Sequence, residues 1–159
     1  MPSTQDNAAC CKPFDPAPWQ DKEHQWENKR FLKDAVLSFL HIPLNISGKI
    51  TKNISLAEKA GALAEPPLML MDEHSAWRSA LLIEITKEIP GTEEVLISGT
   101  FLSKAFEGPY KNIPQWIREM EIFVTSRGKV ARQLYFFYTT CPKCAKKYNK
   151  NYVVLIARV

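Results

Sequence analysis

The sequence predicts an α+β protein: a tandem strand-helix-strand-strand repeat forming one mostly antiparallel sheet with two helices on one face. Two observations carry this prediction. Apolar runs rich in β-branched and aromatic residues lie on both sides of each predicted helix. The helices themselves show matching apolar stripes at i, i+4 and i+7, offset by 63 positions: Ile50, Ile54 and Ala57, then Ile113, Ile117 and Met120.

The chain length and the turn residues predict how many domains the chain forms and where it divides into halves. A chain of 159 residues fits one domain. Pro90-Gly91 is a turn dipeptide and separates the predicted halves, about 36–88 and 95–159. Residues 1–31 contain prolines and no clean hydrophobic period, so we predict an N-terminal arm there and the folded domain over 32–159. The two-fold arrangement would leave a cleft between the halves, which is the predicted ligand site.

The first half begins with a predicted strand over 35–44, which Pro43 ends because proline cannot donate to a strand ladder. A helix follows, and Gly61 is placed to end it. A short apolar run over 68–71 and a strand over 80–89 complete the half.

The second half opens with a predicted strand over 95–106. The helix after it has Asn112 and Gln115 spaced like a capping box, and Gly128 stands where a C-terminal glycine belongs. Two strands follow, over 134–140 and 152–157. Both are nearly all apolar or aromatic, which predicts that each is either covered on both faces or forms the wall of a pocket.

Charge and composition exclude some functions. The net charge of +4 is mild, and neither amphipathic helix carries a basic stripe with interleaved aromatic residues, so nucleic-acid binding is not expected. The densest basic cluster (Lys143, Lys146, Lys147 and Lys150) is interpreted as a solvated loop. No apolar run is long enough for a membrane helix. The segment 1–18 lacks a secretory pattern, so we expect a cytoplasmic protein.

The segment FEGPYKNIPQWIREM resembles the strand-to-helix junction of the gyrase-inhibitor-like small-molecule-binding domain family, with Gly108, Pro109 and Tyr110 matching the junction motif. The resemblance implies a stand-alone protein that holds a bulky aromatic or hydrophobic ligand in the cleft between two repeats. Some stand-alone members are hydrolases, which implies the alternative. The family often has a glutamate near the position of Phe136, so cation binding through that carboxylate is not expected here.

The predicted partner is therefore a small-molecule ligand, with no cofactor and no metal, and the sequence leaves the oligomeric state open. Aromatic faces can stack on a flat ligand, although each aromatic residue at strand or helix spacing can equally be core. His41 is similarly either a core residue or a ligand contact. The candidate ligand-binding residues are Tyr110, Tyr138, Trp77, Trp116, Phe136 and His41.

Two glutamates are the candidate catalytic residues of the hydrolase alternative. Glu119 flanks the stripe of the second helix, and Glu84 interrupts the apolar strand LLIEIT. A carboxylate half-buried among aromatic rings can act as a general base on water. Each glutamate can equally be a solvated surface residue.

The motif Cys141-Pro-Lys-Cys144 has three interpretations. It can be a redox dithiol, half of a zinc site completed by Cys10, Cys11 or His41, or a turn with two reduced thiols. The thiol turn is favoured, because the chain contains no second CxxC or HxxxH pair.

Protein purified without chelator should therefore contain no stoichiometric zinc. Two thiols supply half of a tetrahedral shell, and recruiting two further ligands reduces metal affinity. Elemental analysis measures this directly. One zinc per chain, lost in Cys141→Ser, would contradict the prediction.

Overall fold

The computed structural model describes residues 14–39, 42–43, 46–73, 78–139 and 151–159. Within these ranges the chain forms seven strands and two helices. In chain order they are β1 (Lys22–Phe39), β2 (Ile42–Pro43), α1 (Ile46–Lys59), β3 (Met69–Glu73), β4 (Arg78–Glu84), β5 (Glu94–Glu107), α2 (Ile113–Ser126), β6 (Gln133–Tyr138) and β7 (Tyr152–Arg158). A 3-10 turn, Tyr110–Asn112, leads into α2.

Six strands close into an antiparallel barrel in the order β1-β4-β3-β6-β7-β5, with β5 pairing back onto β1. The length of β1 makes closure possible. Its residues 22–32 pair with β5, and its residues 31–37 pair with β4. The short strand β2 pairs with the C-terminal end of β1. Closure leaves the six strands without an open edge.

Alternation along the strands separates an inner face from an outer face. All six strands contribute to one buried cluster, which includes Phe31, Leu70, Leu82, Phe101, Tyr135, Val154 and Ile156. The residues that alternate with these along the strands point to the other face and form a second cluster, against which both helices pack. Because a barrel of six strands is too narrow to hold a helix, the helices lie outside, and the first cluster fills the barrel interior.

The two helices cover the outer face with the stripes that the sequence predicts. Ile54 of α1 and Ile117 of α2 pack against the same outer cluster. In α2 the buried side chains are Trp116, Met120 and Val124, and the Trp116 ring stacks on Phe106 at a centroid distance of 5.5 Å. No helix among the described residues is long and apolar enough to cross a membrane.

The predicted α+β class and the mostly antiparallel sheet are confirmed, but the sheet closes into a barrel. The cleft expected between two halves is replaced by an interior filled with side chains. The chain order is β1, β2, α1, β3, β4 and then β5, α2, β6, β7, and the tandem repeat itself stays a prediction. A pseudo-two-fold relation between the halves stays a prediction.

The first strand begins at Lys22, within the segment predicted as an arm. The reason lies in its local geometry. Pairing with β5 shifts register between Trp26 and Lys29, where Asn28 has a φ of 49°. This bulge interrupts the period-two alternation, so no single alternating pattern runs along the whole of β1.

The helix ends are partly as predicted. Gly61 and Gly128 adopt positive φ values of 64° and 70° just after the helices, as the sequence indicates. The predicted capping box is wrong, because the side chain of Asn112 makes no capping hydrogen bond. Asn112 already has helical backbone angles as the last residue of the 3-10 turn, whereas a capping residue needs extended ones.

Substitution of Phe31 tests the filled barrel. Phe31 is fully buried and pairs with both β4 and β5. Phe31→Ala should lower the free energy of unfolding by about 3–5 kcal/mol, since it removes a ring from a closed interior. Val130→Ala, at a position 75% exposed, should stay within about 0.5 kcal/mol of wild type. Equal urea midpoints for the two variants would contradict the assignment of the inner face.

Candidate functional site

A histidine and a serine meet on the inner face near one end of the barrel. In the β1–β5 ladder, Lys22 lies opposite Ser103 and His24 opposite Phe101, so His24 and Ser103 point the same way. The His24 Nε2 and Ser103 Oγ atoms are 2.7 Å apart. Ser103 is fully buried and His24 is half-buried. A serine hydroxyl in contact with an imidazole is the arrangement on which serine nucleophiles depend.

The serine hydroxyl has a second partner, since Ser103 Oγ donates a hydrogen bond of 2.8 Å to the backbone carbonyl of Trp19. A hydroxyl has one hydrogen. While that hydrogen points at Trp19, His24 Nε2 must donate to Ser103 rather than accept from it. The His24 tautomer that can accept a proton from Ser103 therefore requires the Trp19 carbonyl to move away.

The surroundings of His24 keep it neutral. Burial lowers the pKa of His24 below its usual value, and the positive charge of Lys29 lowers it further. The centroid of the imidazole lies 5.0 Å from that of the Trp19 ring and 6.3 Å from that of the Trp26 ring. A neutral imidazole near pH 7 is the form that can work as a general base.

Residues 14–21, here called the plug segment, close this end of the barrel. The Phe14 ring packs against Phe137 at 6.0 Å and against Tyr152 at 5.5 Å, and the Trp19 ring contacts Phe137 at 5.6 Å. Phe137 and Tyr152 extend the inner-face alternation of β6 and β7. The plug segment therefore covers Ser103 with aromatic side chains.

The predicted catalytic Glu84 also lies on the inner face, farther along the barrel. Its Oε1 atom is 2.8 Å from Lys29 Nζ, and its Oε2 atom accepts the backbone N–H of Leu68 at 3.3 Å. Lys29 Nζ also lies 5.5 Å from the ring centroid of Trp26. Both carboxylate oxygens of Glu84 already have partners, so a water that Glu84 activates would have to compete with them.

The predicted aromatic residues lie on the outer face. Tyr110 and Tyr138 pack edge to face at 5.7 Å, and Phe136 stacks with Tyr138 at 6.2 Å. Trp116 and Phe136 are buried in the outer cluster. At the junction motif, Gly108 has a φ of 144°, and a Cβ atom there would lie 3.3 Å from the Trp116 ring. Glycine is thus required where the chain passes Trp116.

The structure does not bring all of the predicted site residues together. Glu119 is exposed on α2, and the Tyr110–Tyr138 pair is on the opposite side of the sheet from Glu84. His41 and Trp77 lie outside the described residues. Their roles stay predictions.

The four cysteines also lie outside the described residues. Within the described part of the chain, no group of three or more His, Cys, Asp or Glu side chains could hold a metal ion.

A shallow cavity of about 180 Å³ lies on the outer side, between α2 and the start of β6. Its lining residues are Ile117, Met120, Glu121, Ala131, Arg132, Gln133 and Leu134. Neither His24 nor Ser103 reaches it, and none of the predicted site residues lines it. The cavity offers an apolar floor with charged rims rather than a paired nucleophile and base.

Sequence reasoning missed both His24 and Ser103. They are 79 positions apart, and no short motif surrounds either one. The alternation of His24 and Trp26 with charged and polar neighbours is the local signal that marks residues 22–26 as a strand. Only the pairing of β1 with β5 shows which serine faces the histidine.

Comparison with known proteins gives a family and a fold. The model of a family described as bacterial hydrolase matches residues 1–159. The chain resembles the crystal structure of an uncharacterized conserved protein from Listeria innocua, with a TM-score of 0.63 and 10% identity. It also resembles the crystal structure of a hydrolase from Listeria innocua, with a TM-score of 0.60 and 11% identity. Each match covers 87% of this chain and 91% of the other. No curated protein matches the chain.

The buried histidine should make stability depend on pH. Because the pKa of His24 is lowered in the folded protein, the unfolded chain binds a proton first as the pH falls. Stability is then complete above about pH 7 and decreases below it. Urea unfolding between pH 7.5 and pH 5 should show a larger loss for wild type than for His24→Gln, which keeps a hydrogen-bonding side chain but does not titrate. Parallel curves would refute a buried neutral imidazole.

Proposed function

The chain belongs to the bacterial hydrolase family, and on that basis we propose that it is a hydrolase whose reacting centre is Ser103 with His24. One observation carries the assignment of the centre: the 2.7 Å contact between His24 Nε2 and Ser103 Oγ. Ser103 is the nucleophile and His24 is the general base. The substrate is a small ester. It enters the barrel at the end that the plug segment covers.

In the first half of the reaction, Ser103 Oγ attacks the carbonyl carbon of the substrate and its proton passes to His24 Nε2. The carbonyl electrons move to oxygen and then return as the bond to the leaving group breaks. His24 gives the proton to the leaving oxygen, and the acyl group stays on Ser103. This is the division of labour that a serine and an imidazole perform in other folds.

In the second half, a water molecule attacks the acyl carbon and gives a proton to His24. The bond from the acyl carbon to Ser103 Oγ breaks, and the serine recovers its proton from the imidazole. The products are a carboxylic acid and an alcohol, and no cofactor is consumed.

The environment supports these roles. The lowered pKa of His24 supplies a neutral base near pH 7. The Trp26 ring, on the same strand as His24, packs against the imidazole at a centroid distance of 6.3 Å. Among the described residues no carboxylate pairs with this imidazole, so the proposed centre is a dyad, and we expect it to be slower than a triad, in which a third group orients the base.

The earlier alternative of a glutamate that activates water predicts different residues. For Glu84 to serve as the base, it would have to exchange its contacts with Lys29 and Leu68 for water. The matching family is described as a hydrolase family and not as a gyrase-inhibitor-like family. Ligand binding without turnover, which the resemblance to the gyrase-inhibitor-like family implies, is the second candidate.

Substitution of either member of the pair should remove activity towards p-nitrophenyl esters. We expect Ser103→Ala to fall to the buffer rate and His24→Gln to lose about 100- to 10,000-fold in kcat, the usual contribution of general acid–base catalysis. A fluorophosphonate probe should label Ser103, as peptide mass spectrometry would show. Far-UV circular dichroism checks that each variant is folded.

Two matched variants separate the dyad from the alternatives. Ser126→Ala removes an exposed serine at the end of α2 and should keep wild-type kinetics. Glu84→Gln should retain most activity if the dyad acts and lose it if a glutamate activates water. Full activity in folded Ser103→Ala would refute the proposed centre.

A further inference from the structure

We infer that the plug segment, residues 14–21, occupies the acyl pocket of the proposed hydrolase, and that the substrates are esters of apolar acyl groups carrying an aromatic ring. The inference rests on the proposed function. In the resting protein the Ser103 hydroxyl donates to the backbone carbonyl oxygen of Trp19, at 2.8 Å.

The position of that carbonyl blocks catalysis in the closed state. The single hydroxyl hydrogen of Ser103 points at the Trp19 carbonyl and so cannot pass to His24. The serine is also fully buried. A substrate therefore reaches Ser103 only when the plug segment withdraws, and withdrawal at the same time frees the hydroxyl to donate to the imidazole.

The side chains of the plug segment show what the vacated space would accept. Phe14 meets Phe137 edge to face with an interplanar angle of 90°, and it meets Tyr152 at 5.5 Å. The Trp19 ring lies against Phe137 and His24. Withdrawal would leave a pocket walled by Phe137 and Tyr152, with Ser103 and His24 at its floor. A ring-bearing acyl chain replaces those aromatic contacts, whereas an acetyl group does not.

The plug segment is a preformed turn that can move as a unit. Its own hydrogen bonds join the Ala17 N–H to Asp15 Oδ1 at 3.0 Å and the Trp19 N–H to the Pro16 carbonyl at 2.9 Å. These bonds do not depend on the barrel. The segment can therefore open without losing its internal structure.

A charged latch holds the plug segment closed from the outside. Lys104 Nζ donates to Asp21 Oδ1 at 2.7 Å, and Arg127 Nη2 donates to the Asp21 carbonyl at 3.5 Å. Both cations also lie over the Phe123 ring of α2, at 5.2 Å and 5.0 Å. The contacts of the latch side chains are with Asp21 and Phe123, and none of them is to the side chain of Ser103 or His24. Weakening the latch should therefore change the open fraction and leave the pocket unaltered.

The substrate class is tested with two esters that share a leaving group, p-nitrophenyl hydrocinnamate and p-nitrophenyl acetate. After correction for buffer hydrolysis, wild type should give at least about tenfold higher kcat/KM for the hydrocinnamate, because one extra buried ring contributes on that order. Equal values for the two esters, or a preference for the acetate, would overturn the assigned pocket.

The latch is tested with Asp21→Asn. Since kcat/KM scales with the open fraction, and an exposed ion pair shifts an equilibrium by about two- to fivefold, both esters should be hydrolysed two- to fivefold faster. Glu23→Gln makes the same change of charge two residues away, outside the latch, and should match wild type. Added salt should accelerate wild type but not Asp21→Asn.

Hydrogen exchange distinguishes a failure of the plug proposal from a failure of the hydrolase proposal. Asp21→Asn should speed amide exchange in residues 14–21 whether or not any ester is cleaved. Absence of fluorophosphonate labelling and of hydrolysis in every variant would overturn the proposed function and the substrate class with it. Labelling of Ser103 with identical kinetics and exchange in Asp21→Asn and Glu23→Gln would overturn the plug alone and leave the hydrolase proposal intact.

Discussion

The pairing of one long strand with two partners is the constraint on which the rest of the structure depends. β1 pairs with β5 over its first part and with β4 over its second, and Phe31 and Leu32 pair on both sides. This double pairing turns an open sheet into a closed barrel. It separates an interior filled with side chains from an outer face that two helices cover, and it places residues distant in sequence on one wall.

A bulge in β1 changes which residues of the strand point into the barrel. His24 and Trp26 point inwards before it, and Lys29 and Phe31 point inwards after it. The backbone N–H of Asn28 donates to Ser98 Oγ at 2.8 Å, which fixes the bulge to β5. Because an extra residue reverses the parity of a strand, the bulge keeps Phe31 in the core and His24 beside Ser103 at once.

The polar groups inside the barrel are stabilised by pairing with each other and with the plug segment. A buried hydroxyl or imidazole without a partner destabilises a fold, so Ser103 and His24 must be hydrogen-bonded in the resting protein. The Trp19 carbonyl completes this set. The proposed reacting centre and the covering of the barrel end thus belong to one hydrogen-bond network.

The sequence by itself determined the local elements. Apolar stripes placed both helices, Gly61 and Gly128 marked their ends, and the apolar runs placed β6 and β7 as strands. Five of the seven residues of β7 are buried, whereas only Tyr135 and Phe136 are buried in β6. These features are periodic or depend on single residues, so they are readable over a few positions. The α+β class follows from them.

Only the tertiary structure decided the closure of the barrel, the start of β1 within the predicted arm, and the meeting of His24 with Ser103. Each depends on register between strands far apart in the chain, and the bulge at Asn28 reverses the alternation from which register would be inferred. Strand pairing also places the side chain of Glu84 on the inner face and that of Tyr138 on the outer face. The alternation of residues within each strand does not show which of its two faces is the inner one. Local periodicity specifies which residues are buried, whereas strand pairing specifies which buried residues meet.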